Sequence, residues 1–289
     1  MRFLIAGARG YIGSAALKRL LAEGADVLPL SSSPSEGFGL LDLGNPESFD
    51  SFSIGEGDLI LLTAAISSPD VCAKDPERVR RINVEGTSEF ISTCIRKGAR
   101  VIFFSSDTVY GERADEFDES AACNPAGDYA MMKHEVEKRY CGNPAFKAIR
   151  LSYVFSIEDK FTVYLRGCAE RGEEAAIFHP FYRAVVHRDD VVEGAIALAR
   201  QWGKFPQAVI NFGGPDVISR IEFAQTLKDT MLPALRFRRI EPEPEFFTNR
   251  PRVIRMKSPL LASLLGCPAH PLRRAAQSEF ELKERDENG

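Results

Sequence analysis

The chain has 289 residues, 44% of them hydrophobic and 27% charged, with 22 Gly and 17 Pro. That profile excludes a disordered chain and leaves room for one large domain or two interlocked ones. With 37 Lys+Arg against 41 Asp+Glu, the net charge is -4 and no long basic run occurs. Affinity for nucleic acid through phosphate neutralisation is thereby excluded, and an anionic ligand would need a few specific cations.

In chain order, residues 3–6 form a short apolar run that reads as a strand, too brief for a signal-peptide core. Residues 14–23 read as a helix with Leu17, Leu20 and Leu21 on one face, and residues 26–30 as the next strand. Further strands are expected at 59–63, 101–105 and 147–151, with helices at 76–97 and 129–140. This alternation predicts right-handed crossovers, hence an α/β doubly wound parallel sheet of the Rossmann kind. After residue 156 the pattern loosens, leaving a helix at 189–200, a strand at 208–212 and a helix at 221–230. Pro242 and Pro244 interrupt the chain before Arg250, and the last ten residues read as a frayed polar tail. The expected organisation is a dinucleotide-binding domain of residues 1–155 plus about 183–213, and a smaller interleaved C-terminal substrate lobe of about 156–182 plus 214–280.

The longest apolar stretch, residues 59–66, falls far short of the ~20 residues needed to span a bilayer, so no membrane association is expected. Cys72, Cys94, Cys123, Cys141, Cys168 and Cys267 form no C-x-x-C pair and have no histidine ladder nearby. They read as reduced thiols of a cytoplasmic protein without a metal site.

Three constellations carry chemistry. Gly7-Ala-Arg-Gly10-Tyr-Ile-Gly13 follows a strand and opens a helix. Glycines there permit a tight turn and let the backbone and the helix N-terminus approach a pyrophosphate, which favours a dinucleotide. Tyr129 and Lys133 lie four apart on one helix face, where an ammonium would lower the phenol's pKa and ready it for proton exchange with an alcohol. At the end of the 101–105 strand stand Ser105, Ser106 and Asp107, at the edge of a parallel sheet where ligands sit, so Ser106 can meet an oxygen at the reacting carbon.

Taken together, the glycine turn, Ser105-Ser-Asp-Thr-Val-Tyr-Gly111, Tyr129-x-x-x-Lys133 and Asn83-Val-Glu-Gly-Thr87 resemble the extended short-chain dehydrogenase/reductase superfamily, especially its nucleotide-sugar epimerases, dehydratases and reductases. The resemblance implies Tyr129 as general acid/base, Lys133 on the nicotinamide ribose and Ser106 at the substrate oxygen, with Asp107 beside them in the catalytic set. For the cofactor it implies Gly7, Gly10, Tyr11, Ile12, Gly13, Ala64, Ala65, Asn83, Ser152 and Val154, besides Tyr129 and Lys133, with Asp42 and Leu43 near the adenine. Arg183-x-x-x-His187-x-x-Asp190 and Arg250-Pro251 are similar to the family segments whose arginines grip a diphosphate, so Arg183 and Arg250, with Thr108, are the implied substrate contacts. His187 reads as a structural residue.

The residue after Asp107 is Thr108 and not a carboxylate, which disfavours dehydration. The Ser-Ser-Asp-x-Val-Tyr segment and Arg150-Leu-Ser-Tyr-Val-Phe155 are most similar to the dTDP-4-dehydrorhamnose reductase group. A reductase of a nucleotide-diphosphate 4-keto-hexose is therefore expected, with an NAD-dependent nucleotide-sugar 4-epimerase as the alternative using the same side chains. A non-catalytic dinucleotide sensor or scaffold is a third reading, against which the intact Tyr129, Lys133 and Ser106 speak. At the end of the second strand Ser31, Ser32 and Ser33 stand where NAD-binding members carry an acid, which favours NADP(H) and leaves NAD(H) open, although no arginine adjoins them in sequence. A homodimer is left open by the resemblance.

Overall fold

A computed structural model describes residues 1–288, the side chains of 69, 70, 73 and 282–288 excepted. Apolar runs too short for a buried helix become strands. In the first half these are Phe3–Ala6 (β1), Val27–Ser31 (β2), Gly39–Leu40 (β3), Leu59–Leu62 (β4), Arg100–Ser106 (β5), Glu116–Phe117 (β6), Phe146–Leu151 (β7) and Val154–Phe155 (β8). In the second half they are Glu174–Phe178 (β9), Tyr182–His187 (β10), Val209–Phe212 (β11), Asp216–Ser219 (β12), Arg236–Ile240 (β13) and Arg255–Met256 (β14). Helices are Tyr11–Ala22 (α1), Pro69–Lys74 (α2), Pro76–Arg80 (α3), Thr87–Arg96 (α4), Asp128–Tyr140 (α5), Lys160–Arg171 (α6), Arg188–Arg200 (α7), Arg220–Thr230 (α8), Pro259–Leu265 (α9) and Leu272–Asn288 (α10).

Seven strands form one parallel sheet in the order β11-β7-β5-β4-β1-β2-β3. Every residue of β1 and β4 is buried, because helices cover both faces. Phe3 and Ile5 pack with α1, α7 and α9 on one side, while Leu4 and Ala6 pack with Phe90 and Ile91 of α4 on the other. Strand order reverses between β1 and β4, so the carboxyl ends of these two strands open a crevice at the switch point.

Two helices differ from the sequence expectation. The first starts at Tyr11, directly after Gly10, whose extended backbone makes it the N-cap. It buries Gly13, Ala16 and Leu20, whereas Leu21 is 56% exposed, since adjacent helical residues point about 100° apart. The segment 76–97 is broken by a π-helical turn, Arg81–Gly86, between α3 and α4. Its close approach to the β3 side explains Gly86: a Cβ there would lie 1.6 Å from the carbonyl oxygen of Leu43.

The second lobe hangs from the carboxyl edge of the sheet. Here β10 pairs antiparallel with β12 and parallel with β8, and β9 pairs with β13. Its core joins Phe155, Leu165, Ile177, Val185, Phe223 and Leu227 to Leu272, Ala275 and Ala276 of α10. The return to the large sheet is made by α7 and β11. Residues 183–187, read from the sequence as part of that return, instead pair in the small sheet, because β8 diverts the chain there after β7. The polar C-terminus is not a frayed tail but the continuation of α10, whose run of Glu, Leu, Lys and Arg suits a helix anchored by buried Leu272 and Ala276. Gly289 lies outside the described residues. No helix among them is long and apolar enough to cross a membrane.

Candidate active site

At the switch point lies a cavity of about 510 Å³, walled by Gly10, Tyr11, Ile12, Ala65, Ser106, Tyr129, Lys133, Ser152 and Val154, among others. The glycine turn shapes its floor. Gly7 has φ +89, in the left-handed region, and a Cβ on Gly13 would stand 2.2 Å from the Gly7 carbonyl oxygen. Only hydrogen at both positions lets the start of α1 press on the turn and direct its free N–H groups into the crevice. Tyr11 donates its hydroxyl to Ser156 Oγ at 2.8 Å, tying α1 to the second lobe.

Opposite, the segment after β4 is clasped by Asn83 from the π-turn. Asn83 Oδ1 accepts from the Ile66 N–H at 2.9 Å and its Nδ2 donates to the Ile66 carbonyl at 2.8 Å. Both ends of the amide are thus spent on Ile66, which stands between the wall residues Ala65 and Ser67, and Asn83 is itself 3% exposed. Gly7, Gly13, Ala64 and Asn83 shape the wall without lining it.

At the end of β2, Ser31 is buried and its Oγ accepts from the Ser33 N–H at 3.3 Å, while Ser32 is exposed. Although no arginine adjoins these serines in sequence, the fold brings one: Arg9, from the glycine turn, donates through Nη1 to Ser33 Oγ at 3.5 Å. Asp42 spends Oδ1 on its own turn, accepting the Gly44 N–H at 2.8 Å, and Leu43 packs into the core. Ser31, Ser32, Asp42 and Leu43 stand apart from the residues that wall the cavity.

Helix α5 carries Tyr129 and Lys133 on its inward face, and the buried bidentate pair of Arg150 on β7 with Glu137 pins it to the sheet (Nη2 to Oε2, 2.6 Å). Lys133 Nζ donates to the Phe104 carbonyl at 2.7 Å and lies 4.4 Å from the centre of the Phe103 ring. Burial pushes its pKa down to about 8, against the opposing pull of Glu137. The phenol does not follow the sequence expectation. Burial, with the charges of Cys72 and Asp107, raises the Tyr129 pKa above its usual value. The lysine sits under the ring, 5.8 Å from its centre, with a proton committed to Phe104, and leaves the phenol protonated.

Ser106, at the tip of β5, caps the short turn Asp107–Tyr110. Its Oγ accepts from Thr108 N at 3.2 Å and Thr108 Oγ1 at 2.9 Å. Asp107 is buried; it accepts from Ser152 Oγ at 2.8 Å and lies 3.6 Å from Arg183 Nε. Burial raises its pKa, and Arg183 opposes that rise.

A second cavity of about 330 Å³ adjoins the first and shares Ser106, Tyr129, Ser152 and Tyr153 with it. Asp107, Thr108, Arg183 and Arg250 line it, so the fold brings the residues marked for substrate and for catalysis to one place. Arg250 donates to the Phe246 carbonyl at 3.3 Å and stacks on that ring. Arg220, which the sequence reading passed over, lines the same cavity. The available signal was Ser219-x-x-Glu222, a capping box that marks Arg220 as the first residue of a helix. His187, the N-cap of α7, lies 3.0 Å from Glu279 through Nε2 and ties α10 down. Two groups of potential metal ligands, Cys123/His134/Glu137 and His187/Asp190/His270, are assembled by the fold although no sequence spacing marks them. In each, a carboxylate is already engaged, Glu137 by Arg150 and Asp190 by His270.

The sequence model of the NAD dependent epimerase/dehydratase family matches residues 3–213. A dTDP-4-dehydrorhamnose reductase of Mycolicibacterium smegmatis is 26% identical over 157 residues, 53% of this chain and 46% of that one. The chain thus spans about half the length of the curated reductases it is similar to, 46% and 51% in two cases. A solved dTDP-4-dehydrorhamnose reductase from Clostridium acetobutylicum superposes with a TM-score of 0.84 at 18% identity, over 98% of this chain and 100% of its own. UDP-glucuronic acid 4-epimerase from Bacillus cereus, solved with UDP-glucuronic acid and NAD, superposes with a TM-score of 0.79 at 20% identity, over 99% of each chain. Both share this fold.

Proposed function

The chain belongs to the NAD dependent epimerase/dehydratase family, and from that premise we propose that it is an NADP(H)-using reductase of a nucleotide-diphosphate 4-keto-hexose, acting in the cytoplasm. One observation carries the choice of reductase: Arg9 stands beside Ser33 at the end of β2, where no carboxylate is present. A guanidinium among hydroxyls suits a 2'-phosphate and would leave a 2'-hydroxyl without its usual acceptor. A phosphorylated dinucleotide used as a reductant is consumed one per turnover, whereas an epimerase returns its hydride to the same substrate.

The crevice suits a dinucleotide. Gly13 has no room for a side chain, and Ser105 Oγ is buried without a partner, as a hydroxyl awaiting a ligand would be. Gly10, Tyr11 and Ile12 would meet the pyrophosphate at the start of α1, and Lys133 the ribose hydroxyls. When bound, the nicotinamide supplies the hydride for the keto carbon. From the shared wall of the two cavities Tyr129 faces the ketone oxygen, and Ser106 would join it by turning its proton from Asp107 Oδ1, 3.3 Å away. Burial keeps Tyr129 a protonated phenol, so it gives its proton to that oxygen as negative charge develops. Asp107, locked by Ser152 and Arg183, holds the floor beneath Ser106 in one arrangement. The reductases among its relatives support the 4-keto substrate.

With purified protein, NADPH and a panel of dTDP- and UDP-4-keto-hexoses, at least one sugar should consume the reduced cofactor stoichiometrically, and NADH should serve less well. Unchanged absorbance with every ketone would contradict the reading.

A further inference from the structure

We propose that Arg220 is the residue that grips the substrate's diphosphate in this chain, together with Arg250 and in place of Arg183. The inference rests on the nucleotide-sugar reading above. A guanidinium offers five N–H donors, and a bidentate grip on phosphate needs at least two on one edge. Arg183 cannot present them. Its Nη1 donates to the carbonyls of Tyr182 at 2.7 Å and Arg252 at 3.4 Å, its Nη2 to that of Pro251 at 2.7 Å, and its Nε faces Asp107 at 3.6 Å. Three of the five donors are hydrogen-bonded to backbone carbonyls, the Nε edge is held against Asp107 as an ion pair, and the residue is 6% exposed. Turning it towards a ligand would strand buried carbonyls and the Asp107 carboxylate, a loss that phosphate contacts would first have to offset. Arg183 is thereby a fixed positive charge in the cavity floor.

Arg220 is in the opposite condition. It opens α8, and its guanidinium lies between two aromatic rings, 4.9 Å from the centre of Phe161 and 4.4 Å from that of Phe181. Among the described residues no hydrogen-bond acceptor or carboxylate meets its side chain, and its Nε is buried without a partner. A cation withdrawn from water with no carboxylate in ion-pair contact is costly, and the more distant charge of Asp159 and the ring faces return only part of that cost. They do hold the guanidinium plane in one orientation, so little freedom remains to be lost when an anion arrives. The missing partner belongs in the cavity that Arg220 shares with Ser106, Tyr129 and Arg250. Arg220 does not line the dinucleotide crevice, so its contribution falls on the sugar nucleotide alone.

Calorimetric titration with dTDP and with UDP, each in the presence of NADP⁺, separates the possibilities. In Arg220→Gln the Kd for the diphosphate that wild type binds should rise about ten- to a hundredfold, the loss expected for a charge-assisted hydrogen-bond pair, while NADP⁺ affinity stays the same. Arg220→Lys, which keeps the charge but not the fork, should fall between. An unchanged Kd in Arg220→Gln overturns the proposal and leaves the nucleotide-sugar reading standing. If Arg220→Gln fails to fold, an unchanged Kd in Arg220→Lys overturns it equally. Wild type binding neither diphosphate would overturn the nucleotide-sugar reading, and this proposal with it.

Discussion

Lys133 is the residue whose environment departs furthest from what a bare Tyr-x-x-x-Lys spacing suggests. The spacing foretells that two side chains share a helix face; it says nothing about how much water surrounds them. Burial is a property of the assembled wall, and it reverses the expected effect on the phenol, which stays protonated, while moving Lys133 to about 8. The unfolded lysine titrates near 10.5, so between about pH 8 and 10.5 the unfolded chain holds the proton that the folded one has released. Stability therefore rises with pH across that window, and the cost of burying the ammonium is felt below it. For activity the sign is opposite: if the ammonium is needed at the ribose, kcat/KM of the wild type falls as pH climbs through about 8. Lys133→Arg keeps its charge far above that pH, so its pH profile should lose the alkaline limb near 8 whatever its absolute rate. The same limb at the same pH in the variant would remove Lys133 from its titrating role. Arg9 and Arg220 make a related point. Arg9 is 24 residues from the serine it meets, and although a capping box marks Arg220 as the start of a helix, the rings that hold its guanidinium come from elsewhere in the chain, so neither contact has a local signature.

At the scale of elements, six of the seven strands of the large sheet and the helix that carries Tyr129 and Lys133 were legible, because short apolar runs and helical spacing are local signals, whereas the two-residue β3 was not. The π-turn was not. Nothing in the periodicity of 76–97 distinguishes an extra residue in one turn, and its cause is tertiary: Gly86 presses on the Leu43 carbonyl and Asn83 reaches Ile66. This turn holds the cavity wall after β4. Asn83→Ala would leave the Ile66 N–H and carbonyl without partners and should cost about 2 kcal/mol of stability. Differential scanning calorimetry should show a lower Tm, and the Kd for the dinucleotide should rise because residues 64–67 lose their clasp. A variant with wild-type Tm and cofactor affinity would show that the clasp holds nothing. The strand β10 and the helix α10 also escaped the sequence reading, since both are fixed by partners distant in the chain, β10 by the Val154–Phe155 strand and α10 by His187 and the second-lobe core of Phe155, Val185 and Phe223.

For the whole molecule, a net charge of -4 concentrates the burden of anion recognition on a few cations, and the fold gathers three arginines at one cavity while one of them is consumed by Asp107 and backbone carbonyls. The doubly wound sheet sets its crevice between β1 and β4, and the second lobe, returning through α7 and β11, closes over the carboxyl edge so that the two cavities share one wall. That shared wall suits both a reductase and an epimerase, and the difference between them lies in the fate of the hydride. Incubation with NADPH carrying deuterium at the transferable position, followed by mass and NMR analysis of the sugar, reads that fate directly. A reductase leaves one deuterium at the former keto carbon and releases one oxidised cofactor per product molecule, and this is the expected result. Sugar inverted at carbon 4 with no deuterium incorporated and no net oxidation of the cofactor would contradict it.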